Sequence, residues 1–139
     1  MNRLSQLTLT LFVLIFAACG QPEGFKKPED ALDAGREFIR ATLDGDYKKA
    51  ELYIMPEEED VRLFLRFRDY MKQRPPEELS GLKDASITIN KVEAVSDTVT
   101  IINYSNSYRK KPTEIKVVKK DDQWWVDFSY TFSGNLPIE

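Results

Sequence analysis

Histidine is absent from this chain, and cysteine occurs once, at position 19. Without histidine, neither a Ser-His-Asp nor a Cys-His catalytic arrangement can form, and the residue that most often serves as general base or metal ligand is missing. A zinc site is disfavoured because its usual ligands are cysteine and histidine. A single cysteine also cannot form a disulfide within the chain. These absences exclude the commonest nucleophilic mechanisms and disfavour zinc-dependent ones.

Positive charge is not in excess either. The chain carries 20 lysine and arginine residues against 23 aspartate and glutamate residues, which gives a formal net charge of −3. Proteins that bind nucleic acid cluster lysine and arginine against the phosphates. We therefore expect no nucleic acid among the partners.

Apolar residues form one prominent run, Leu7–Phe16, near the N-terminus. This run is shorter than the roughly 20 residues that a bilayer-spanning helix needs. Arg3 precedes it, and Ala17 and Ala18 follow it. A positive start, a short apolar middle and small residues before a cleavage site are typical of a secretory signal peptide. The sequence therefore predicts that residues 1–18 are removed.

Ala17-Ala18-Cys19 resembles the lipobox of bacterial lipoproteins, although Phe16 stands where that family prefers Leu, Val or Ile. The resemblance implies that Cys19 is lipidated, with palmitate-type acyl chains that hold the mature protein on a membrane. Two or more chains make such an anchor stable. If the cell has two membranes, Gly20 offers no aspartate-type retention signal, so the outer membrane of the bacterial envelope is expected. The alternative is an ordinary signal peptide beside a free cysteine.

The mature chain divides into a tether, one domain and a tail. Residues 19–27 contain proline, glycine and charge without periodicity, which indicates a short lipidated tether. Residues 28–133 carry helical and then strand-like patterns and form the predicted domain. Residues 134–139 are expected to be a C-terminal tail.

Three helices are predicted in the first half of the domain. The first runs from Pro28 to Gly45, and the second follows Asp46 as its N-cap. The third begins after Pro56, and its acidic first turn, residues 57–60, suits the helix dipole. Calcium is not needed to explain these acids, because consecutive helical residues point in different directions and cannot converge on one ion.

Four strands are predicted in the second half, after Pro75-Pro76 and a loop through Ser80-Gly81. They are Ala85–Val95, Thr98–Tyr108, Thr113–Lys120 and Gln123–Phe132. Short connections favour an antiparallel meander. The predicted fold class is α+β, with three N-terminal helices on a four-stranded sheet and the third helix packed across it.

A family resemblance adds detail to this fold. The residues that carry it are Pro28, Ala31, Phe38, Ala41, Gly45-Asp46-Tyr47, Ala50, Pro56, Val117-Val118, Trp124, Val126 and Phe128. They resemble the small cystatin-like, lumazine-binding-like lipoproteins of the nuclear-transport-factor-2-like superfamily. The resemblance implies a curved sheet around a long helix, often with a cone-shaped cavity. That superfamily includes isomerases, cyclases and dehydratases beside proteins that only bind, and no catalytic motif carries over.

Aromatic residues and one arginine form the candidate pocket. They are Tyr53, Phe64, Phe67, Arg68, Tyr70 and Tyr104. The rings could line a site for a small apolar ligand, and Arg68 could hold an anionic one. The alternative is that the rings form the core and that Arg68 keeps its charged head in water.

An enzyme is the second hypothesis. An isomerase or cyclase of this superfamily would need a carboxylate base and a tyrosine in the cavity. Asp127 with Tyr53 or Tyr104 is the candidate set. Asp127, however, lies on the strand face opposite Val126 and Phe128 and is expected to be solvated.

An interaction surface is the third hypothesis. Trp125, Lys110 and Lys116 are the candidate interface residues, either for a homodimer or for another envelope protein or anionic surface. The alternative is that these lysines protect an edge strand from pairing. The sequence as a whole favours binding of a ligand or protein partner without catalysis, cofactor or metal.

Overall fold

The computed structural model describes residues 22–132, so the predicted signal peptide, Cys19 and the 134–139 tail lie outside the described residues. Within this range the chain forms five helices and four strands. They are α1 (Ala31–Asp44), α2 (Tyr47–Glu51), α3 (Glu58–Lys72), α4 (Pro76–Asp84), β1 (Ile87–Ser96), β2 (Val99–Asn106), β3 (Thr113–Lys120), β4 (Gln123–Asp127) and α5 (Phe128–Phe132). None of these helices combines the length and apolarity that a membrane crossing requires.

The four strands form one antiparallel sheet in the order β1-β2-β3-β4. Ile102 stands opposite Ile115 in the β2–β3 pair, and Val117 stands opposite Val126 in the β3–β4 pair. Ile54, just after α2, adds a parallel bridge to Val126 on the outer side of β4. The α+β class and the meander sheet are confirmed.

Side-chain caps set the ends of the first two helices. The Asp30 carboxylate accepts the N–H of Asp33 at 2.8 Å, so α1 begins at Ala31 and not at Pro28 as predicted. Gly45 ends α1 with a φ of 74°, a left-handed conformation that glycine adopts without strain. Asp46 accepts the N–H of Lys49 at 3.0 Å, which confirms it as the N-cap of α2.

The predicted number of helices before the sheet is wrong, because the segment read as a loop after Pro75 is helix α4. Pro76 is well placed in its first turn, where a missing N–H costs nothing. Gly81 lies inside this helix, and the ring of Tyr108 lies directly over it, so that only a residue without a side chain fits. A Cβ at position 81 would stand 2.3 Å from the Tyr108 Cε2 atom. Close packing, and not a turn, explains this glycine.

The last strand is also shorter than predicted, since β4 ends at Asp127 and the chain turns into α5. The Asp127 carboxylate accepts the Ser129 hydroxyl at 2.7 Å and the Tyr130 N–H at 3.2 Å. These hydrogen bonds take the place of the inter-strand hydrogen bonds that a continuing strand would form. Phe128, the first residue after the strand, is buried in the core.

Helix α1, and not α3 as predicted, lies against the sheet. At Gly35 an added Cβ would stand 2.6 Å from the Ile102 Cδ1 atom and 3.2 Å from the Ile115 Cδ1 atom. Helix α3 instead packs mainly on α5 and α2. Phe64 of α3 is fully buried, and its ring meets that of Phe128 at 5.4 Å in a T-shaped contact.

Candidate functional site

A small cavity of about 60 Å³ lies between the C-terminal half of α1, α3, α4 and the β2–β3 connection. Its lining is Thr42, Leu43, Phe67, Met71, Leu82, Tyr104, Asn106, Arg109, Lys111 and Thr113. The lining combines apolar side chains with hydroxyl, amide and cationic groups. A mostly apolar wall with a few polar groups that converge on it is typical of a ligand site.

An open groove of about 410 Å³ adjoins the cavity and shares Thr42, Leu43 and Leu82 with it. The groove adds Asp44, Gly45, Tyr47, Lys72, Leu79, Ser80 and Lys83. The groove lies where α1 ends at Gly45 and α4 passes beside it. Cavity and groove together are called the Arg109 site below.

The turn after β2 places Arg109 in this site. The side-chain oxygen of Asn106 accepts the N–H groups of Tyr108 at 3.1 Å and Arg109 at 2.8 Å. The Asn106 carbonyl accepts the N–H of Lys110, which has a φ of 58°. An asparagine side chain that bonds the next backbone groups fixes a tight turn. The Tyr108 ring, seated on Gly81, fastens the same turn to α4.

Glu78 of α4 holds Arg109 from outside the cavity. The Arg109 Nη2 atom lies 2.7 Å from the Glu78 Oε1 atom, and the Arg74 Nε and Nη2 atoms each lie 2.9 Å from the Glu78 Oε2 atom. Burial opposes ionisation of Glu78, but hydrogen bonds from Arg74 and Arg109 hold the pKa of its carboxyl below the ordinary value. Glu78 is therefore an ionised bridge between two guanidinium groups.

Two tyrosines border the Arg109 site, Tyr104 in the cavity and Tyr47 in the groove. Burial raises the pKa of Tyr104 to about 12, although the positive charge of Arg109 opposes this shift. Burial also raises the pKa of Tyr47, again against the effect of Arg109. Tyr47 is 7% exposed, and its buried hydroxyl has no hydrogen-bond partner among the described residues. Both phenols therefore stay neutral at neutral pH.

Two of the residues predicted for the pocket lie in the Arg109 site, and two lie elsewhere in the core. Phe67 and Tyr104 line the cavity. Tyr53 and Phe64 are both fully buried. The Tyr53 hydroxyl bonds both the N–H and the carbonyl of Lys26, each at 3.1 Å. The structure thus brings Phe67 and Tyr104 together and places Tyr53 and Phe64 in other packing roles.

Arg68 and Tyr70, the other predicted pocket residues, lie outside the cavity. Arg68 forms an ion pair with its neighbour Asp69, with the Nη2 and Oδ1 atoms 2.9 Å apart. It lines a depression of about 340 Å³ that shares Gly45, Tyr47 and Lys72 with the groove, and it is not part of the cavity lining. The Arg74 guanidinium stands 5.4 Å from the centre of the Tyr70 ring.

The central residues of the site were not singled out in the sequence. Arg109 fell between the second and third predicted strands, and Tyr47 was named only among the residues of the family resemblance. Glu78 fell in the segment read as a loop. Asn106 followed by Tyr108 and Arg109 at a strand end is the one local signal, because asparagine favours such turns. The convergence of α1, α4 and the β2–β3 turn on one cavity has no signature in the sequence.

A second polar cluster surrounds Asp127, and there the expectation of a solvated side chain is wrong. The Asp127 side chain is 15% exposed, and its Oδ2 atom lies 3.1 Å from the Lys116 Nζ atom. Burial opposes ionisation, but the Ser129 hydroxyl and Lys116 hold the pKa of Asp127 below its ordinary value. Asp60 is 5% exposed and accepts the Ser129 N–H at 2.9 Å. Burial raises the pKa of Asp60, and the nearby Asp127 charge adds to this rise.

We expect this raised pKa to make stability depend on pH through Asp60. Between its ordinary value of 3.8 and its raised value, the native state binds more protons than the unfolded state. The stability due to Asp60 is therefore present at low pH and lost as the pH rises through that window. Relative to the unsubstituted protein, Asp60→Asn should be less destabilising at pH 7 than at pH 4. Urea unfolding at the two pH values measures the difference.

The control for Asp60 is Glu58→Gln, since Glu58 is an exposed carboxylate in the same helical turn. Its effect on stability should change little between the two pH values. An Asp60→Asn effect that is equal at both values, or larger at pH 7, would contradict the burial of an ionisable Asp60.

The three residues of the predicted interface occupy different settings. Lys116 is bound to Asp127, as described above. The Trp125 Nε1 atom donates to the Lys120 carbonyl at 3.3 Å. Lys110 lies in the exposed turn that carries Arg109. Lys116 belongs to β3, which is paired on both sides, and Lys110 lies in a turn, so the alternative that these lysines protect an edge strand is wrong.

No protein-family model matches the sequence, and no curated protein matches it either. The fold, an α+β domain with an antiparallel meander sheet, and the Arg109 site are therefore the basis for a function.

Proposed function

We propose that this protein is a lipid-anchored lipoprotein of the bacterial envelope, whose domain binds a small, partly apolar ligand in the Arg109 site without catalysis. In this proposal the domain is of the cystatin-like, nuclear-transport-factor-2-like kind, and the cavity is the narrow part of its cone. The lining of the cavity carries the proposal, because Asn106, Arg109 and Lys111 stand there among apolar side chains, and a mostly apolar wall with a few polar groups is typical of a ligand site.

The composition of the cavity wall supports binding of an apolar body. Leu43, Met71 and Leu82 are buried and contribute to both the core and the wall. Thr42 and Tyr104 also line the wall, and the Thr42 hydroxyl donates to the Ile39 carbonyl at 2.8 Å. An apolar wall gains from covering by an apolar ligand, by about 25 cal/mol for each Å² removed from water.

The isomerase or cyclase alternative has less support from the geometry. Such an enzyme needs a carboxylate base that reaches the substrate. Asp127 is already bound by Lys116 and Ser129, and the cavity wall of the described residues contains no Asp or Glu. An acid–base mechanism would need a carboxylate from outside this wall.

The Tyr53 hydroxyl clamps the backbone of Lys26, and this contact is compatible with a lipid anchor at Cys19. The Tyr53 hydroxyl bonds both backbone groups of Lys26, and the Phe25 ring lies 5.3 Å from the Tyr53 ring. The packed domain thus begins a few residues after the proposed lipidated cysteine. A short tether would keep the domain next to the membrane, with the outer membrane favoured if two are present.

Native mass spectrometry of the protein, extracted from its own envelope with mild detergent, tests the ligand and the anchor together. We expect the mass of a chain that begins at Cys19 with acyl groups, plus a few hundred daltons of bound ligand. The added mass should disappear in Thr42→Phe, which fills the junction of cavity and groove. Thr98→Phe, at an exposed turn, is the matched control and should keep the added mass.

Each other result removes a defined part of the proposal. An unmodified Cys19 would contradict lipidation. Equal added mass in Thr42→Phe and the unsubstituted protein would place the ligand outside the Arg109 site. Added mass of a second subunit or another protein, with no small ligand, would favour an interaction protein, and Trp125, Lys110 and Lys116 would then be the residues to substitute.

A further inference from the structure

The charges around the Arg109 site are unbalanced. Arg109 and Lys111 are the charged residues in the described cavity wall. The groove adds Lys72 and Lys83 against one carboxylate, Asp44. That carboxylate is already bound, since its Oδ1 atom lies 2.8 Å from the Arg40 Nη2 atom. The site as a whole therefore presents positive charge to a ligand.

Glu78 does not cancel the charge of Arg109, because it is shared with Arg74. One carboxylate between two guanidinium groups leaves one positive charge uncompensated. Arg109 uses its Nη2 atom for Glu78, and a guanidinium has five N–H donors, so others remain for a ligand. Arg109 itself lines the cavity, so its charge lies at the wall that a ligand would touch.

Glu78 also fixes the direction of the Arg109 guanidinium. The Arg109 side chain is 27% exposed and that of Glu78 is 17% exposed, so the pair is only partly screened by solvent. A held guanidinium loses less freedom when an anion binds, and its planar fork matches a carboxylate. Arg109 is thus prepared for an anion on the side that faces the cavity.

The geometry points to a small amphipathic anion as the ligand, with a carboxylate-type head on Arg109 and an apolar body against Leu43 and Leu82. This inference rests on the proposed function, because it names the class of ligand for the same site.

Three probes separate the parts of this inference. Octanoate has the anionic head and the apolar body, 1-octanol has the body without the charge, and inorganic phosphate has charge without the body. Their affinities can be measured by calorimetry on the full mature chain carrying Cys19→Ser, which lacks only the acyl group. We expect octanoate to bind at least tenfold more tightly than either other probe.

Substitution of Arg109 tests whether this residue binds the anionic head of the ligand. Arg109→Gln should weaken octanoate at least tenfold and leave 1-octanol within about twofold. Arg62→Gln removes an equal charge from an exposed position on α3 and should leave both affinities unchanged. Circular dichroism confirms that both variants are folded.

The failures of the two proposals are distinguishable. Equal binding of octanoate and 1-octanol, or unchanged octanoate affinity in Arg109→Gln, would overturn the anionic class and leave a ligand site in place. Phosphate binding as tight as that of octanoate would overturn the amphipathic class. A chain that binds none of the probes overturns this inference, and the native mass spectrum still decides separately whether the site holds a ligand.

Discussion

Phe64→Ala is expected to lower the free energy of unfolding by about 3–5 kcal/mol. Phe64 is fully buried, and its ring meets those of Phe38, Phe67 and Phe128 at 6.2, 6.1 and 5.4 Å. Truncation of Phe64 removes ring contacts with α1, with α5 and within α3 itself. It also leaves a void that the rigid neighbours cannot fill. Urea unfolding of the mature chain, followed by circular dichroism, measures the loss.

The control for Phe64 is Val95→Ala on β1. Val95 is 61% exposed, so its truncation should change stability by less than about 0.5 kcal/mol. Phe64 was also a predicted pocket residue, and the same experiment separates the two roles. A loss below about 1 kcal/mol would indicate that the ring borders open space and not a packed core.

Gly35→Leu is expected to cost about 3 kcal/mol or to prevent folding. The helix passes so close to the sheet that even a Cβ would stand 2.6 Å from the Ile102 Cδ1 atom. A leucine would need α1 to move away from β2 and β3, and that movement would open the core on both sides. Thermal unfolding of the purified variant measures the effect.

Two further substitutions make the Gly35 result specific. Gly35→Ala should stay within about 1 kcal/mol of the unsubstituted protein, because alanine gains about that much in helix propensity and the Ile102 methyl group can rotate away. Arg36→Leu adds the same side chain at the next, exposed position of α1 and should change stability little. If Gly35→Leu were as mild as Arg36→Leu, α1 would not lie against the sheet as described.

The sequence predicted the parts of the fold that depend on neighbouring residues. Asp46 as an N-cap, Gly45 at the end of α1 and the order of the four strands follow from side chains that act within a few positions. Helix α4 and α5 did not follow in this way. Gly81 reads locally as a loop residue, and only the Tyr108 ring above it explains its place in a helix. At Asp127, a side chain that captures the next N–H groups overrides the alternation of the strand.

The candidate site was less predictable than the fold. Phe67 and Tyr104 were named as pocket residues, but the groups that give the site its chemistry come from distant segments. Arg109 follows β2, Glu78 belongs to α4 and Tyr47 to α2. Their meeting depends on how α1 and α4 lie relative to the β2–β3 turn, and that arrangement is set by tertiary contacts such as Arg109 with Glu78. Sequence spacing carries no information about contacts of this kind.

The clamp between Tyr53 and Lys26 sets the reach of the domain. Lys26 stands seven positions after Cys19, and even a fully extended segment of this length spans at most about 25 Å. With a lipid on Cys19, the short tether would confine the domain to the layer just above the lipid headgroups. A ligand carried by such a domain would be exchanged at the surface of one membrane, and transfer to a second membrane would require another carrier.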